Sequence, residues 1–322
     1  MALLITGAMG HVGFELVRQA ADQGRAVVAQ YRGTFREHDA QSLKGDVAWV
    51  QCDLTAPESV RDLTTARRIE ACIHTAAIPN EVYCRPDPLN AVNVNVGAVA
   101  ALLEQARTQS WQRFLNVSTG SVFQDATDIT KPVQENRIPK VANIYSTTKF
   151  CGELLTTMYR SQFEVPAANV RISWVYGQPL VPIQRENPRG PIPYFLKCAL
   201  TGIPIREISG AEFAASYTHV HDVAAGLLAA VDAKALNHDA YHLGSGVNYS
   251  TSTVVSAVKA AVPKADIEVG PGTVPWTDHT HMRGPLAGDR LLNDTGWRPV
   301  LSLEAGVQSF ADWMRAHREI WQ

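Results

Sequence analysis

Residues 5–17 read ITGAMGHVGFELV: a short apolar run ends at Thr6, and Gly7, Gly10 and Gly13 follow at three-residue spacing. The apolar run "ALLIT" predicts a strand, and the stretch from about Val12 to Gln23 a helix, with the strand "AVVAQY" after it. Glycines between a strand and a helix permit a tight turn. They also let backbone N–H groups and the helix amino terminus approach a pyrophosphate. A glycine-rich loop alone is weak evidence, but here strand, loop, helix and strand fall in register. This arrangement commits the chain to a right-handed βαβ unit and so to a parallel sheet.

The alternation continues with "WVQCDL", "ACIHTA", a helix over roughly Pro88 to Thr108, "RFLNVS", a helix carrying Tyr145 and Lys149, and "ANVRISWVY". The expected fold is α/β, a Rossmann-type doubly wound parallel sheet covered on both faces. Proline and glycine density marks 177–208 as loops around a short helix near Tyr194 to Leu200. A helix in "VHDVAAGLLAAVDA" follows, then a second loop tract over 270–288, and a terminal helix near Leu303 to His317. The division expected is a dinucleotide-binding domain of residues 1–176 plus about 214–240. A smaller, loop-rich carboxy-terminal substrate lobe takes about 177–213 and 241–322, over the sheet's carboxyl edge where open α/β sheets bind ligands.

Composition narrows the function. Across 322 residues the net charge is −2 with no basic run, which argues against nucleic acid as a partner. No apolar run approaches membrane-spanning length, and "MALLITGAMG" lacks the basic flank of a signal peptide. The five cysteines are scattered without a CxxC, as expected of reduced thiols in a cytoplasmic protein without a zinc ribbon.

In "NIYSTTKF", Tyr145 and Lys149 stand four residues apart, on one helical face. A cation beside a phenol favours phenolate and makes the tyrosine a usable acid/base near neutrality. The pair alone is equally the mark of a solvated helix face.

Taken with the remaining motifs, the chain resembles the extended short-chain dehydrogenase/reductases, the NAD-dependent epimerase/dehydratase family. The resemblance runs over nearly the whole length through "TGAMGHVG", "CDL", "IHTAA", "NVNVGAVAALLEQAR", "NVSTGSVF", "YSTTK", "RISWVYG", "YTHVHDVA", "YHLGSG" and "TGWRP". It departs where Ala98 replaces the family's usual glycine. The resemblance implies that Tyr145 is the acid/base, that Lys149 holds the nicotinamide ribose and lowers the tyrosine's pKa, and that Thr119 supplies the second hydroxyl. Ser118 is the competing candidate for that hydroxyl, and both Ser118 and Ser121 are expected to reach substrate. Cofactor contacts are expected from Gly7, Met9, Gly10, His11, Val12, Tyr31, Arg32, Asp53, Leu54, Thr75, Ala76, Ala77, Asn95 and Val117, together with Tyr145 and Lys149. The second strand ends in Tyr31 and Arg32 without a carboxylate, and Arg36 follows. NADP is therefore expected over NAD, with NAD also possible.

Two histidine clusters, His219–His221–Asp222 and Asp278–His279–His281, have chelating spacing, but no metal is expected. Asp222 is read as the cap of a helix beginning at Val223, Arg171 as a member of a buried ion pair, and His279 and His281 as substrate contacts. Trp174, Trp276 and Arg283 complete the expected substrate set. Ala215 stands where the resemblance expects a phosphate-binding arginine, Trp174 where it expects an asparagine, and "TGS" where dehydratases carry "TDE". The expectation is an NAD(P)-dependent oxidoreductase that interconverts a carbonyl and an alcohol on a small, non-nucleotide substrate: a sugar derivative, sugar acid or cyclic ketone. The alternatives are a nucleotide-sugar epimerase and a non-catalytic NADP-sensing regulator. A homodimer is expected through the helices near residues 91–107 and 145–162.

Overall fold

A computed structural model describes residues 2–125, 128–179, 190–276 and 279–321. Seven strands form one sheet in which every neighbouring pair runs parallel. Six come in chain order: β1 (Ala2–Thr6), β2 (Val27–Tyr31), β3 (Val47–Gln51), β4 (Ile69–His74), β5 (Arg113–Thr119) and β6 (Ala167–Ile172). The seventh is Ala240–Leu243. The spatial order runs from that strand through β6, β5, β4, β1 and β2 to β3. Because successive side chains point to opposite faces, β1 divides its residues between two cores. Leu3 and Ile5 pack with Leu16, Val17, Val223 and Leu227, whereas Leu4 packs with Val99, Leu102 and Phe114. Helices cover both faces, so the strands read as continuous apolar runs rather than alternating ones.

A separate core lies in the carboxy-terminal part. Ile192, Phe195 and Leu196 of helix Pro191–Thr201 meet Val254 and Val258 of helix Thr251–Ala261 and Val307, Phe310 and Met314 of helix Leu303–Ala316. Among the described residues, three two-stranded sheets brace this region, including Trp174–Tyr176 beside Tyr217–His219.

The boundary expected near 240 needs correction. Ala240–Leu243 pairs with Asn169–Ile172 as the edge of the main sheet. Leu291, from helix Asp289–Thr295, packs into the same core as Leu227 and Tyr241. A four-residue strand buried along its whole length has no alternation to read. The helix expected over 88–108 is interrupted: Pro88–Val92 leads into a π-helical turn, Asn93–Gly97, before Ala98–Thr108. The expected cap at Asp222 also shifts. That helix starts at Val220, with His219 Nδ1 accepting from the His221 N–H at 3.2 Å. Asp222 instead accepts from the Leu301 N–H at 3.0 Å, tying the terminal segment to the helix. Among the described residues, no helix is long and apolar enough to cross a membrane.

Candidate active site

The glycine loop turns where the sequence requires it. Gly7 has φ +66°, and a Cβ there would stand 2.8 Å from Ala76 Cα. Helix α1 (His11–Asp22) begins at Gly10 without a side-chain cap, so its leading N–H groups remain for an anion. Gln30 braces this loop: its Oε1 accepts from the Gly7 N–H at 2.9 Å, and its Nε2 donates to the Cys52 carbonyl at 2.6 Å. Sequence reasoning missed Gln30, because a buried glutamine inside a strand carries no motif.

Two cavities meet at this loop, sharing Gly7, Gly10, Thr75 and Ala77. The first, about 300 Å³, is lined by Met9, Tyr31, Arg32, Asp53, Leu54 and Ala76 besides the shared residues. Exposed Asp53 is held there by Thr55: its carboxylate accepts from the Thr55 N–H at 2.9 Å and the Thr55 hydroxyl at 2.8 Å. The backbone bond first, and the hydroxyl second, hold Asp53 below the usual carboxylate range. Arg36 is engaged elsewhere, 2.6 Å from Asp39 and stacked over the Phe14 ring.

The second cavity, about 450 Å³, brings together His11, Val12, Val117, Thr119, Tyr145 and Lys149. Ser118, Ser121, Trp174, His279, His281 and Arg283 border it as well. Tyr145 lies in the first turn of helix Ile144–Phe163, which opens with a reciprocal capping box. There the Ser146 N–H donates to Asn143 Oδ1 at 2.8 Å, and the Asn143 N–H donates to Ser146 Oγ. The Tyr145 N–H donates to Glu81 Oε2 at 3.1 Å. One turn on, Lys149 is only 3% exposed. Burial lowers its pKa to about 8, opposed by Glu153 and then Cys84.

Thr119 ends β5, and its Oγ1 accepts from the Ser121 N–H at 3.1 Å, an acceptance that leaves the hydroxyl proton unused. Ser118 is its strand neighbour and faces the other way. The Ser118 hydroxyl donates to buried Glu153 Oε1 at 2.5 Å, although the residue borders the second cavity. Arg171 is indeed in a buried ion pair, 2.7 Å from Glu153.

Two other expected residues do not line either cavity. Asn95 lines neither cavity. Its Oδ1 accepts from the Ile78 N–H at 2.8 Å, and its Nδ2 donates to the Ile78 carbonyl and to Thr148 Oγ1. It sits within the π-helical turn, where the extra backbone residue lets the amide reach the loop beside the cleft. Trp276 packs against Phe195 and Tyr194 in the carboxy-terminal core rather than lining the cleft. Asp278 lies outside the described residues. Among those described, no group of three or more His, Cys, Asp or Glu side chains could hold a metal.

Comparison with known proteins gives one concordant picture. The profile of the NAD dependent epimerase/dehydratase family matches residues 3–244. UDP-glucuronate 4-epimerase of Thermodesulfobacterium geofontis is 24% identical, the alignment covering 98% of this chain and 97% of that protein. UDP-glucose 4-epimerase of Mycolicibacterium smegmatis is 26% identical, covering 98% and 99%. Among solved structures, UDP-glucose 4-epimerase of Thermotoga maritima with UDP-glucose superposes with a TM-score of 0.86 at 20% identity, covering 98% of this chain and 99% of that one. The dTDP-glucose 4,6-dehydratase of Bacillus anthracis in complex with NAD gives 0.84 at 19% identity, covering 100% and 98%.

Proposed function

We propose, for a chain that belongs to the NAD-dependent epimerase/dehydratase family, that it interconverts a secondary alcohol and a carbonyl on a sugar, as the redox step of an epimerisation. The observation that carries this reading is the convergence of Thr119, Tyr145 and Lys149 on one cavity that opens into the glycine loop. The uncapped start of α1 and the residues lining the first cavity fit a nicotinamide dinucleotide, with the pyrophosphate against the N–H groups. Bound there, such a dinucleotide supplies reversible hydride acceptance. The chain's own work is proton handling and orientation. The Tyr145 phenolic oxygen takes the proton from the substrate hydroxyl and returns it to the carbonyl oxygen. The Thr119 hydroxyl donates to the same oxygen and stabilises charge that develops on it. The Lys149 ammonium favours phenolate at Tyr145.

The substrate class best supported is a nucleotide-linked sugar, because the similar proteins are UDP-sugar epimerases and dTDP-glucose dehydratases. This favours the alternative in the sequence reading over the small free substrate expected first. Dehydration is the weaker variant, since Gly120 and Ser121 offer no carboxyl group beside Thr119. One observation favours a second reading, a small sugar acid or cyclic ketone without a nucleotide. Ala215 and Trp174 border a recess of only about 10 Å³ where a diphosphate-binding arginine and asparagine are expected. For the cofactor, the NAD-bound relatives support NAD. Arg32 at the cavity rim, with no carboxylate at the end of β2, supports the finer proposal of a preference for NADP. Self-association as a homodimer belongs to the same proposal.

The deciding experiment incubates purified protein with UDP-glucose, UDP-glucuronate and dTDP-glucose beside free uronates, aldonates and cyclic ketones. NMR follows epimerisation, and nicotinamide absorbance follows net redox. Inversion of a UDP- or dTDP-sugar supports the leading reading. Net redox on a free acid or ketone alone replaces it with the second. Tight dinucleotide binding without turnover on any compound points to a sensor.

A further inference from the structure

Arg283 brings a second cation to the cavity that holds Tyr145 and Lys149. Its segment is pinned to residues 131–133. A Cβ on Gly284 would collide with the Lys131 carbonyl oxygen, and the Val133 N–H donates to the Pro285 carbonyl at 2.7 Å. The half-buried side chain rests its guanidinium against Gly120, the residue between Thr119 and Ser121.

This charge lacks an anion. Among the described residues, no carboxylate lies within ion-pair distance of Arg283, and none of its guanidinium N–H groups meets a protein acceptor. Glu81 is the only acid among the described residues lining the cavity, and its Oε2 accepts from the Tyr145 N–H at 3.1 Å. A guanidinium withdrawn from water without an acceptor is costly, and a bound anion offsets that cost.

Space decides which anion. Arg283 also borders the recess of about 10 Å³, room for roughly one water. Trp174 forms a wall of that recess and is held there. A Cβ on Gly190 would strike its ring, and Tyr217 meets the ring edge-on, 5.8 Å between centroids. A diphosphate has no room in it. The cavity of about 450 Å³ does admit a planar carboxylate, which matches the guanidinium fork with two parallel bonds. Because the guanidinium rests on the residue next to Thr119, that carboxylate belongs to the reacting sugar itself. A vestibule of about 680 Å³, sharing Glu81, Gln124, Asn143 and His279 with the cavity, has room for whatever the sugar is linked to.

We propose that Arg283 is a specificity-determining residue that binds a carboxylate on the reacting sugar, so that the substrate is a sugar acid, either free or nucleotide-linked. This rests on the proposed alcohol–carbonyl chemistry for which sugar reacts, but it is tested by binding and not by turnover. Calorimetry on protein loaded with NADH or NADPH compares glucuronate with glucose, galacturonate with galactose, and UDP-glucuronate with UDP-glucose. In at least one pair the acid is expected to bind about tenfold more tightly or better. Arg283→Met is expected to abolish that advantage without weakening the neutral partner. Equal binding within every pair, no binding by any acid, or an advantage that survives Arg283→Met overturns the proposal. An advantage of glucose 6-phosphate or UDP-glucose over glucose that Arg283→Met removes assigns the cation to phosphate and overturns it too. Should Arg283→Met fail to fold, Arg283→Lys keeps the charge but lacks the fork, and an acid advantage unchanged in it is equally fatal. An acid that binds through Arg283 but is not turned over sinks the redox reading and leaves this proposal standing.

Discussion

The guanidinium of Arg283 lies over Gly120, where an added Cβ would stand 3.1 Å from its Nη2. Gly120 separates Thr119 from Ser121, so the cation sits on the segment that carries the proposed substrate hydroxyl. The Asn248 amide holds Arg283 in place by donating to its carbonyl at 2.6 Å. Burial lowers the Arg283 guanidinium to about 10, and the interaction that works against this comes from Tyr145. A cation so placed favours phenolate at Tyr145. Arg283→Met is expected to raise the pH at which Tyr145 ionises. The acid limb of the kcat/KM profile then moves to higher pH, and an unmoved limb rejects the link.

Tyr145→Phe removes the proton-handling oxygen and leaves the ring in the cavity. Turnover is expected to fall by about 10²–10⁴-fold, the usual contribution of a positioned acid/base. Dinucleotide affinity should stay near wild type, because the glycine loop and the start of α1 are untouched. Single-turnover kinetics beside a binding titration separates the two, and unimpaired turnover dismisses Tyr145 as the acid/base.

Arg32 is exposed at the rim of the first cavity, while Arg36 is paired with Asp39. Arg32→Ala is expected to weaken NADPH binding about tenfold, the worth of one charge-assisted contact. NADH binding should change little. A fluorescence titration in which wild-type protein binds NADH as well as NADPH sinks the NADP preference.

Much of this site was legible because its chemistry is local. The glycine spacing, the Tyr145–Lys149 step and the strand end at Thr119 each lie within a few residues, and each motif states its own geometry. Even the burial of Arg171 was readable from its place in an apolar strand. The unreadable parts are long-range. Glu153 looks like one more polar residue on a helix until β5 and β6 bring Ser118 and Arg171 against it. Nothing near Asn95 in the sequence shows that it lies in a π-helical turn with its amide bonded to Ile78. Asp222 has the residue type of a cap, but the helix starts two residues before it and the acid secures Leu301 instead. Ala240–Leu243 is too short and too buried for its place at the sheet edge to show in the pattern.

Three buried histidines make acid sensitivity a property of the fold. Burial depresses His74 to about 3, His219 to about 4 and His242 to about 3, against an ordinary value of 6.5. The unfolded chain therefore binds more protons below pH 6.5, and stability rises with pH across that window. It is fully present above pH 6.5 and is lost as pH falls toward 4, at about 1.4 kcal/mol per histidine per pH unit. The urea midpoint should drop clearly between pH 7 and pH 5. In His242→Gln the drop should be shallower by one proton's worth, and a midpoint independent of pH over this range contradicts the account.

The helices flanking β5 carry apolar side chains that the single chain leaves uncovered. Leu154 is 54% exposed, and Met158 and Phe163 on the same helix are also exposed, as are Leu89 and Val92 on helix Pro88–Val92. Helices Pro88–Val92 and Ala98–Thr108 both pack against Ile144–Phe163. Leu154 and Met158 are one turn apart, so they form one face rather than scattered residues. In the proposed homodimer a two-fold axis through that face would cover each side chain once per chain, so that every substitution there would count twice. Burying a leucine contributes about 1.5–3 kcal/mol, whereas an unpaired carboxylate in its place costs more than is gained. Leu154→Glu with Met158→Glu is therefore expected to separate the copies while leaving each chain folded, since neither residue belongs to a core. Light scattering at micromolar concentration should give about twice 35.2 kDa for the wild type and that single-chain mass for the double variant. A wild-type monomer at that concentration rejects the dimer.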